Sequence, residues 1–351
     1  MGQAQAKIML VGEAPGDEEI RRGEPFVGAA GRELAYMLRD AGLERAEFVI
    51  SNVFRHQPEA NRIETFCVDK KVLGPDPYPL PFLRPGQYIR RELLPELARL
   101  RREIEKARPN LVIALGNTAL WALTGRSGIG KIRGTVCPST LVPGQKVLPT
   151  YHPSAILRDW SSRVVVVADF LKAKVESEFP EIRRPRRLLW ICPTLEDLHE
   201  FSSTYIIGRR GEALCPVLSI DIETDPKRGI LLCVALAVRN DLALVLPFFD
   251  STKPNYSYWS SPGEEVAAWN WLRCVASHPD IAILGQNYSY DFQWLFRAGV
   301  NSNFTRDTMI KHNALYPELP KSLAFQGSIY TQEPAWKLDR PRGYKVAKRE
   351  E

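Results

Sequence analysis

The sequence predicts an α/β protein made of two α/β domains in series: a parallel-sheet domain over residues 1–180, a basic linker over 181–187 and a mixed-sheet domain over 188–351. In the first half, short β-branched runs alternate with amphipathic helical patterns, the arrangement that builds a parallel sheet with helices on both faces. After residue 187 three strand-like runs follow one another and the helical patterns come later, which predicts a mixed sheet. Between the halves, PEIRRPRR (180–187) breaks both patterns.

IMLVG (8–12), EFVISNVF (47–54), NLVIALG (110–116) and KVLPTYH (146–152) are the strands of the first half. Each is too short and too rich in β-branched residues for a helix. GRELAYMLRDAGL (31–43) and YIRRELLPELARLRREIEKA (88–107) repeat their apolar residues at helical spacing. GPDPYPLPFLRPG (74–86), with five prolines, is an irregular loop. The second half restarts with LLWICPTLEDLHEF (188–201) and continues with the strands LSIDIET, ILLCVALAV and LALVLPFF. The helix EEVAAWNWLRCVA, the strand IAILGQN and the helix SYDFQWLFRAG follow, and Trp259, Trp269, Trp271 and Trp294 are read as core residues.

A length of 351 residues suits two to three domains. The net charge of +6, from 47 basic and 41 acidic residues, permits a polyanionic partner without demanding one. Cys67, Cys137, Cys192, Cys215, Cys233 and Cys274 contain no CxxC pair, so neither a disulfide framework nor a cysteine metal site is indicated. A reducing cytoplasm fits this usage, and no apolar run is long enough to span a membrane.

In a parallel sheet the functional residues lie at the carboxyl ends of the strands. The first strand ends in GEAPGDEE, where Gly12 and Gly16 let a ligand approach the backbone. Acids at 13, 17, 18 and 19 and the lack of GxGxxG disfavour a nucleotide cofactor. Asn52 ends a second strand and His152 another. GRSGIGK (125–131) satisfies GxxxxGK, but it follows a helix and Ile132 stands where a phosphate loop needs Ser or Thr, so it is read as a turn.

GEAPGDEE with GEPFVGAAG, SNV and YHPSAILR, in that order, resemble the motifs of the uracil-DNA glycosylase superfamily, in particular its thermophilic-type family 4, over residues 1 to about 180. The resemblance implies a three-layer parallel-sheet fold and hydrolytic removal of uracil flipped out of DNA. It assigns uracil binding to Gly12, Ala14, Phe26, Asn52 and His152: Phe26 stacks on the base, Asn52 reads its O4 and N3–H, and His152 donates to O2. Glu13 is assigned to the water or to the oxocarbenium-like sugar, and in distantly related family 1 enzymes an aspartate stands at the position of Ala14. Family 4 members usually carry four cysteines for an iron–sulfur cluster. This chain lacks them at the matching positions, so no cluster is expected. His56 lies near the place where a covalent-trapping subgroup has its nucleophile, but the basic loop of that subgroup is missing.

In the second half, Asp221 and Glu223 of DIET stand two apart on a strand and so share a face. GQNYSYDFQWLF adds Asn287 and Asp291. These stretches, with DTMIKHNALYP and SLAFQGSIYTQEPAWK, resemble the ribonuclease H-like DEDD-type 3′–5′ exonuclease domain of A-family DNA polymerases over residues 188–351. The resemblance implies Mg2+ or Mn2+ held by Asp221, Glu223 and Asp291. The family's YxxxD motif is not found, since Tyr330 is followed by Pro334 and Tyr344 by Lys348, while Asp339 has no tyrosine at the right spacing. The chain is therefore expected to be the first part of a longer polypeptide, with a polymerase domain beyond it and an impaired nuclease site. Expected partners are uracil-containing DNA, single-stranded or at a 3′ end, and no membrane. The competing expectation is a non-catalytic module that senses uracil in a template and grips a single strand.

Overall fold

The computed structural model describes residues 6–74, 79–183 and 186–333. Chain contacts divide it into two compact units, Met1–Arg183 together with the residues from Glu318 onward, and Arg184–Pro317. Of the linker expected over 181–187, residues 184 and 185 lie outside the described residues, as do 75–78 of the proline-rich loop.

The first unit begins with β1 (Ile8–Gly12), α1 (Asp17–Arg22), α2 (Ala29–Asp40) and β2 (Phe48–Asn52). A small antiparallel pair, β3 (Cys67–Asp69) and β4 (Gln87–Ile89), precedes α3 (Leu94–Ala107). The front of the expected helix 88–107 is thus strand and a short turn, and α3 starts where Pro95 takes a first-turn position that needs no N–H donor. Next come β5 (Leu111–Leu115), α4 (Gly116–Thr124), the single turn α5 (Ile129–Ile132), β6 (Cys137–Pro138), β7 (Lys146–Thr150), α6 (Pro153–Ile156) and α7 (Arg163–Glu176). GRSGIGK joins α4 to α5, not a strand to a helix.

The sheet order is β2-β1-β5-β7-β6, parallel except for β6. β1, β5 and β7 are buried along their whole length because both faces are covered. Alternate residues feed two cores. Met9, Val11, Val112 and Ala114 pack with Leu97, Leu100 and Trp121 of α3 and α4. Ile8, Leu10, Ile113 and Leu115 pack with Leu34, Met37, Val166 and Phe170 of α2 and α7.

The second unit holds β8 (Leu188–Ile191), α8 (Leu195–Tyr205), β9 (Val217–Asp225), β10 (Ile230–Arg239), β11 (Leu242–Pro247), α9 (Pro262–Ala276), β12 (Ala282–Gly285), α10 (Ser289–Arg297), β13 (Phe304–Asp307) and α11 (Thr308–Leu315). Its sheet runs β13-β12-β9-β10-β11-β8, antiparallel across β9-β10-β11 and parallel elsewhere, the mixed sheet that the pattern implied. Leu218, Ile220 and Ile222 turn one face of β9 into a core with Leu198, Phe201, Trp271 and Leu272, which leaves Asp221 and Glu223 on the opposite, exposed face. Trp259 and Trp271 are buried in this core, and Trp269 and Trp294 pack against it.

One helix departs from the expected domain limits. α12 (Leu323–Tyr330), assigned from sequence to the second domain, groups with the first unit. Its Ser328 accepts from Arg133 Nη1 at 2.8 Å through Oγ and from Lys172 Nζ at 3.1 Å through its carbonyl. Arg133 also lies over the Phe325 ring, 5.7 Å from its centroid. Among the described residues no helix is long and apolar enough to cross a membrane.

Candidate active site at the strand ends of the first unit

β1, β2, β5 and β7 point their carboxyl ends the same way, and the segments that follow them wall a cleft of about 820 Å³. Of the residues assigned from sequence, Glu13, Ala14, Phe26, Asn52 and His152 line it and Gly12 does not, while Gly116, not assigned from sequence, does. Gly12 pairs with Asn52 across β1 and β2.

Asn52 is the most informative of them. Its Oδ1 is buried and has no hydrogen-bond partner among the described residues, an arrangement that costs about 1–3 kcal/mol unless a ligand supplies a donor. Gly12 permits this placement, because a Cβ there would run into both Asn52 Oδ1 and the Phe26 ring. Gly12→Ala is therefore expected to displace both groups and lower activity about 100-fold. The overpacking costs only about 1–3 kcal/mol of stability. Steady-state kinetics beside thermal unfolding separates the two effects.

Phe26 adopts a left-handed backbone, φ 54°, which a residue with a Cβ takes only where its surroundings hold it. Arg45 and Glu19, neither assigned from sequence, supply that hold. Arg45 donates to the carbonyls of Phe26, at 2.8 Å, and Pro25. Glu19 accepts from the N–H groups of Val27 at 3.1 Å, Gly28 at 3.0 Å and Gly16 at 3.1 Å. The acids after the first strand were read only as repelling a pyrophosphate, yet this one ties the loop of β1 to the loop that carries Phe26. The Phe26 and His152 rings stand 5.9 Å apart between centroids.

His152 caps α6 with Pro153 behind it, and its Nδ1 accepts from Ser154 N at 3.2 Å. Ser154 Oγ also lies 2.8 Å from Nδ1, and with both the backbone N–H and this hydroxyl donating to Nδ1 the ring proton of the neutral imidazole is assigned to Nε2. Burial, reinforced by the Arg158 charge, pushes the His152 pKa down to about 4, so the ring is a neutral donor at physiological pH. Gly116, φ 88°, gives the ring room, since its Cβ position lies 3.0 Å from His152 Cβ.

Two pH effects follow. Catalysis is expected to show no inflection near pH 6.5, and a pH–rate profile with a break there that His152→Gln removes would contradict the neutral assignment. Stability runs the other way: between pH 6.5 and 4 the unfolded histidine takes up a proton that the folded one refuses. Acidification through that window therefore destabilises the first unit, by at most about 3 kcal/mol.

Glu13 Oε2 accepts from Thr118 Oγ1 at 2.5 Å. Burial raises its pKa above the ordinary value, while the Thr118 bond and the Arg84 charge pull it back. Arg62, Arg84 and Arg158 also line the cleft, and Arg84 is paired with Glu64. These cations suit a phosphate backbone.

The first unit does not fit an iron–sulfur cluster. Cys67 and Cys137 are its only cysteines, and a cluster of that kind takes four thiolates. Both are buried, their pKa values are raised by burial, Cys137 to about 11, and their thiols donate to the carbonyls of Ile63 and Val147.

In the second unit Asp291 does not join Asp221 and Glu223 in a three-ligand set. Its buried carboxylate turns to the β9 backbone and accepts from Ile222 N at 3.0 Å. Burial, with the Asp221 and Asp307 charges, pushes its pKa up to about 6. Asp307 caps α11 and also accepts from Asn287 N and Tyr288 N. Asn287 precedes α10 in a left-handed backbone, φ 55°. Among the described residues no three His, Cys, Asp or Glu side chains gather to hold a metal ion, so this arrangement lends no support to the Mg2+ or Mn2+ expected at Asp221, Glu223 and Asp291. Pro334, Asp339, Tyr344 and Lys348, where the third exonuclease motif was sought, lie outside the described residues.

Residues 1–175 match the family model of the uracil DNA glycosylase superfamily. A type-4 uracil-DNA glycosylase of Thermotoga maritima is 36% identical over 177 residues, 49% of this chain and 79% of that protein. One from Saccharolobus solfataricus is 33% identical over 181 residues, 49% of this chain and 72% of that protein. A DNA polymerase of Bacillus phage SP01 is 22% identical over 320 residues, 84% of this chain but 31% of the polymerase.

Proposed function

Since the chain belongs to the uracil DNA glycosylase superfamily, we propose that its first unit hydrolyses the N-glycosidic bond of uracil in DNA, with the base flipped into the cleft. The observation that carries this is the buried, unpartnered Asn52 Oδ1. Uracil brings an N3–H donor to that acceptor, and the Asn52 amide N–H groups then meet O4. Cytosine presents an acceptor at N3 and a donor at N4, so it leaves both groups opposed. Phe26 stacks on the ring. As the glycosidic bond breaks, charge builds on O2, and the neutral His152 donates Nε2–H to it. Glu13, a carboxylate at the cleft wall, polarises the attacking water or offsets the positive sugar. The acid limb of the pH–rate profile is expected to lie above the ordinary glutamate value and to vanish in Glu13→Gln.

For the second unit we propose a 3′–5′ exonuclease-like fold of the kind joined to A-family polymerases, acting on single-stranded or 3′-terminal DNA. The likeness to a phage polymerase along most of the chain and the exposed Asp221–Glu223 face support it. Among the described residues its carboxylates do not gather into a three-ligand metal set.

The glycosylase reading is tested by mass spectrometry of the base released from oligonucleotides that differ only in carrying uracil, cytosine or thymine at one position. Release of uracil alone is expected, and equal release of cytosine would contradict the role given to Asn52.

A further inference from the structure

Among the described residues Asn52 Oδ1 has no hydrogen-bond partner, so none of them fixes the pose of the side chain at that atom. β2 is moreover an edge strand, bonded to β1 alone. The sequence marks no residue that holds the end of this strand, yet one is present on α3.

Arg99 is buried, 9% exposed, and its Nη2 donates to the carbonyls of Asn52 at 2.7 Å and Val53 at 2.8 Å. Its Nη1 donates to Glu103 Oε2 at 2.8 Å and Ser51 Oγ at 3.3 Å, and its Nε to Glu96 Oε2 at 3.0 Å. The two carboxylates are themselves tied to the strand end. Glu103 accepts from Ser51 Oγ at 2.6 Å and Arg55 Nη2 at 2.8 Å, and Glu96 from Arg55 N at 3.2 Å. A planar guanidinium with every N–H committed fixes two adjacent carbonyls in space, which a single ammonium cannot do.

We infer that Arg99 is the positioning residue of Asn52: it holds the carbonyls of the two consecutive peptides that follow the Asn52 Cα, Asn52–Val53 and Val53–Phe54, and so sets the amide for the uracil edge. This rests on the uracil reading above. Glu96 and Glu103 act as its anchors and offset the cost of burying its charge.

A double-mutant cycle tests the assignment, with single-turnover uracil release measured on the full chain so that slow variants are resolved. Arg99→Lys keeps the charge and the aliphatic stem. It is expected to lower uracil release about 10- to 100-fold and to narrow the preference for uracil over cytosine. That loss should disappear in an Asn52→Ala background, where there is no amide left to position, and persist in a Glu13→Gln background. Should Arg99→Lys not fold, Glu103→Gln, which frees one anchor, should give the same pattern with a smaller loss. A factor that is equal in all three backgrounds would show a general structural role and overturn the inference. Failure of the wild-type chain to release uracil would overturn the glycosylase reading and this role with it, whereas normal release with an additive cycle removes the Arg99 role alone.

Discussion

Replacing His152 with alanine is expected to slow uracil release about 100- to 1,000-fold at saturating DNA, the range for loss of one preorganised donor to a developing oxyanion. KM should change little, because the bond to O2 strengthens only as negative charge appears there. The structure makes this donor neutral and oriented. With Ser154 N–H and its hydroxyl both donating to Nδ1, Nε2–H is the group left to face a ligand, and burial with the Arg158 charge keeps the ring from taking a second proton. His152→Gln, whose amide can still donate, should recover part of the loss. A fall under ten-fold in His152→Ala at saturating DNA would remove His152 from this role.

The second large effect is on stability. Asp169 is fully buried and receives Arg133 through two bonds, at 2.9 and 2.5 Å, and Thr150 Oγ1 at 2.6 Å. Asp169→Ala leaves the buried guanidinium without its carboxylate, and removal of one partner of such a pair costs about 3–5 kcal/mol. Denaturant unfolding of the full chain should show the first-unit transition shifted by that amount, with Asp169→Asn milder because its amide oxygen still accepts. Arg133 also donates to Ser328, so loosening of α12, followed by hydrogen exchange, is expected to accompany the loss. A shift below 1 kcal/mol would show that Arg133 finds other partners.

The parts of this architecture that depend on local pattern were legible in the sequence. Continuous apolar runs marked β1 and β5 because a strand covered on both faces needs no polar side, and strand ends pointed to Asn52 and His152 because a parallel sheet gathers its carboxyl ends. The parts that depend on contacts distant in sequence were not. Arg45 and Arg99 fall in none of the motifs, yet Arg45 reaches back to Phe26 and Arg99 to Asn52. Glu19 looked like one of several repelling acids, although three N–H groups converge on it. Asp291 carried the spacing of a metal ligand, but the spacing did not show that its carboxylate would turn to Ile222 N–H. Nor does the periodicity of LAFQGSIY disclose that α12 belongs with the first unit, because that choice rests on Arg133 and Lys172, more than a hundred residues earlier.

The central claim is that the cleft at the strand ends breaks a glycosidic bond and does more than recognise a base. Alkali cleavage of a DNA oligonucleotide with a single uracil measures this directly. Alkali-labile abasic sites are expected to form with the wild-type chain and to be lost with both Asn52→Ala and His152→Ala. Tight, uracil-dependent binding of the same oligonucleotide with no abasic site formed would contradict it and leave a uracil sensor in place of an enzyme.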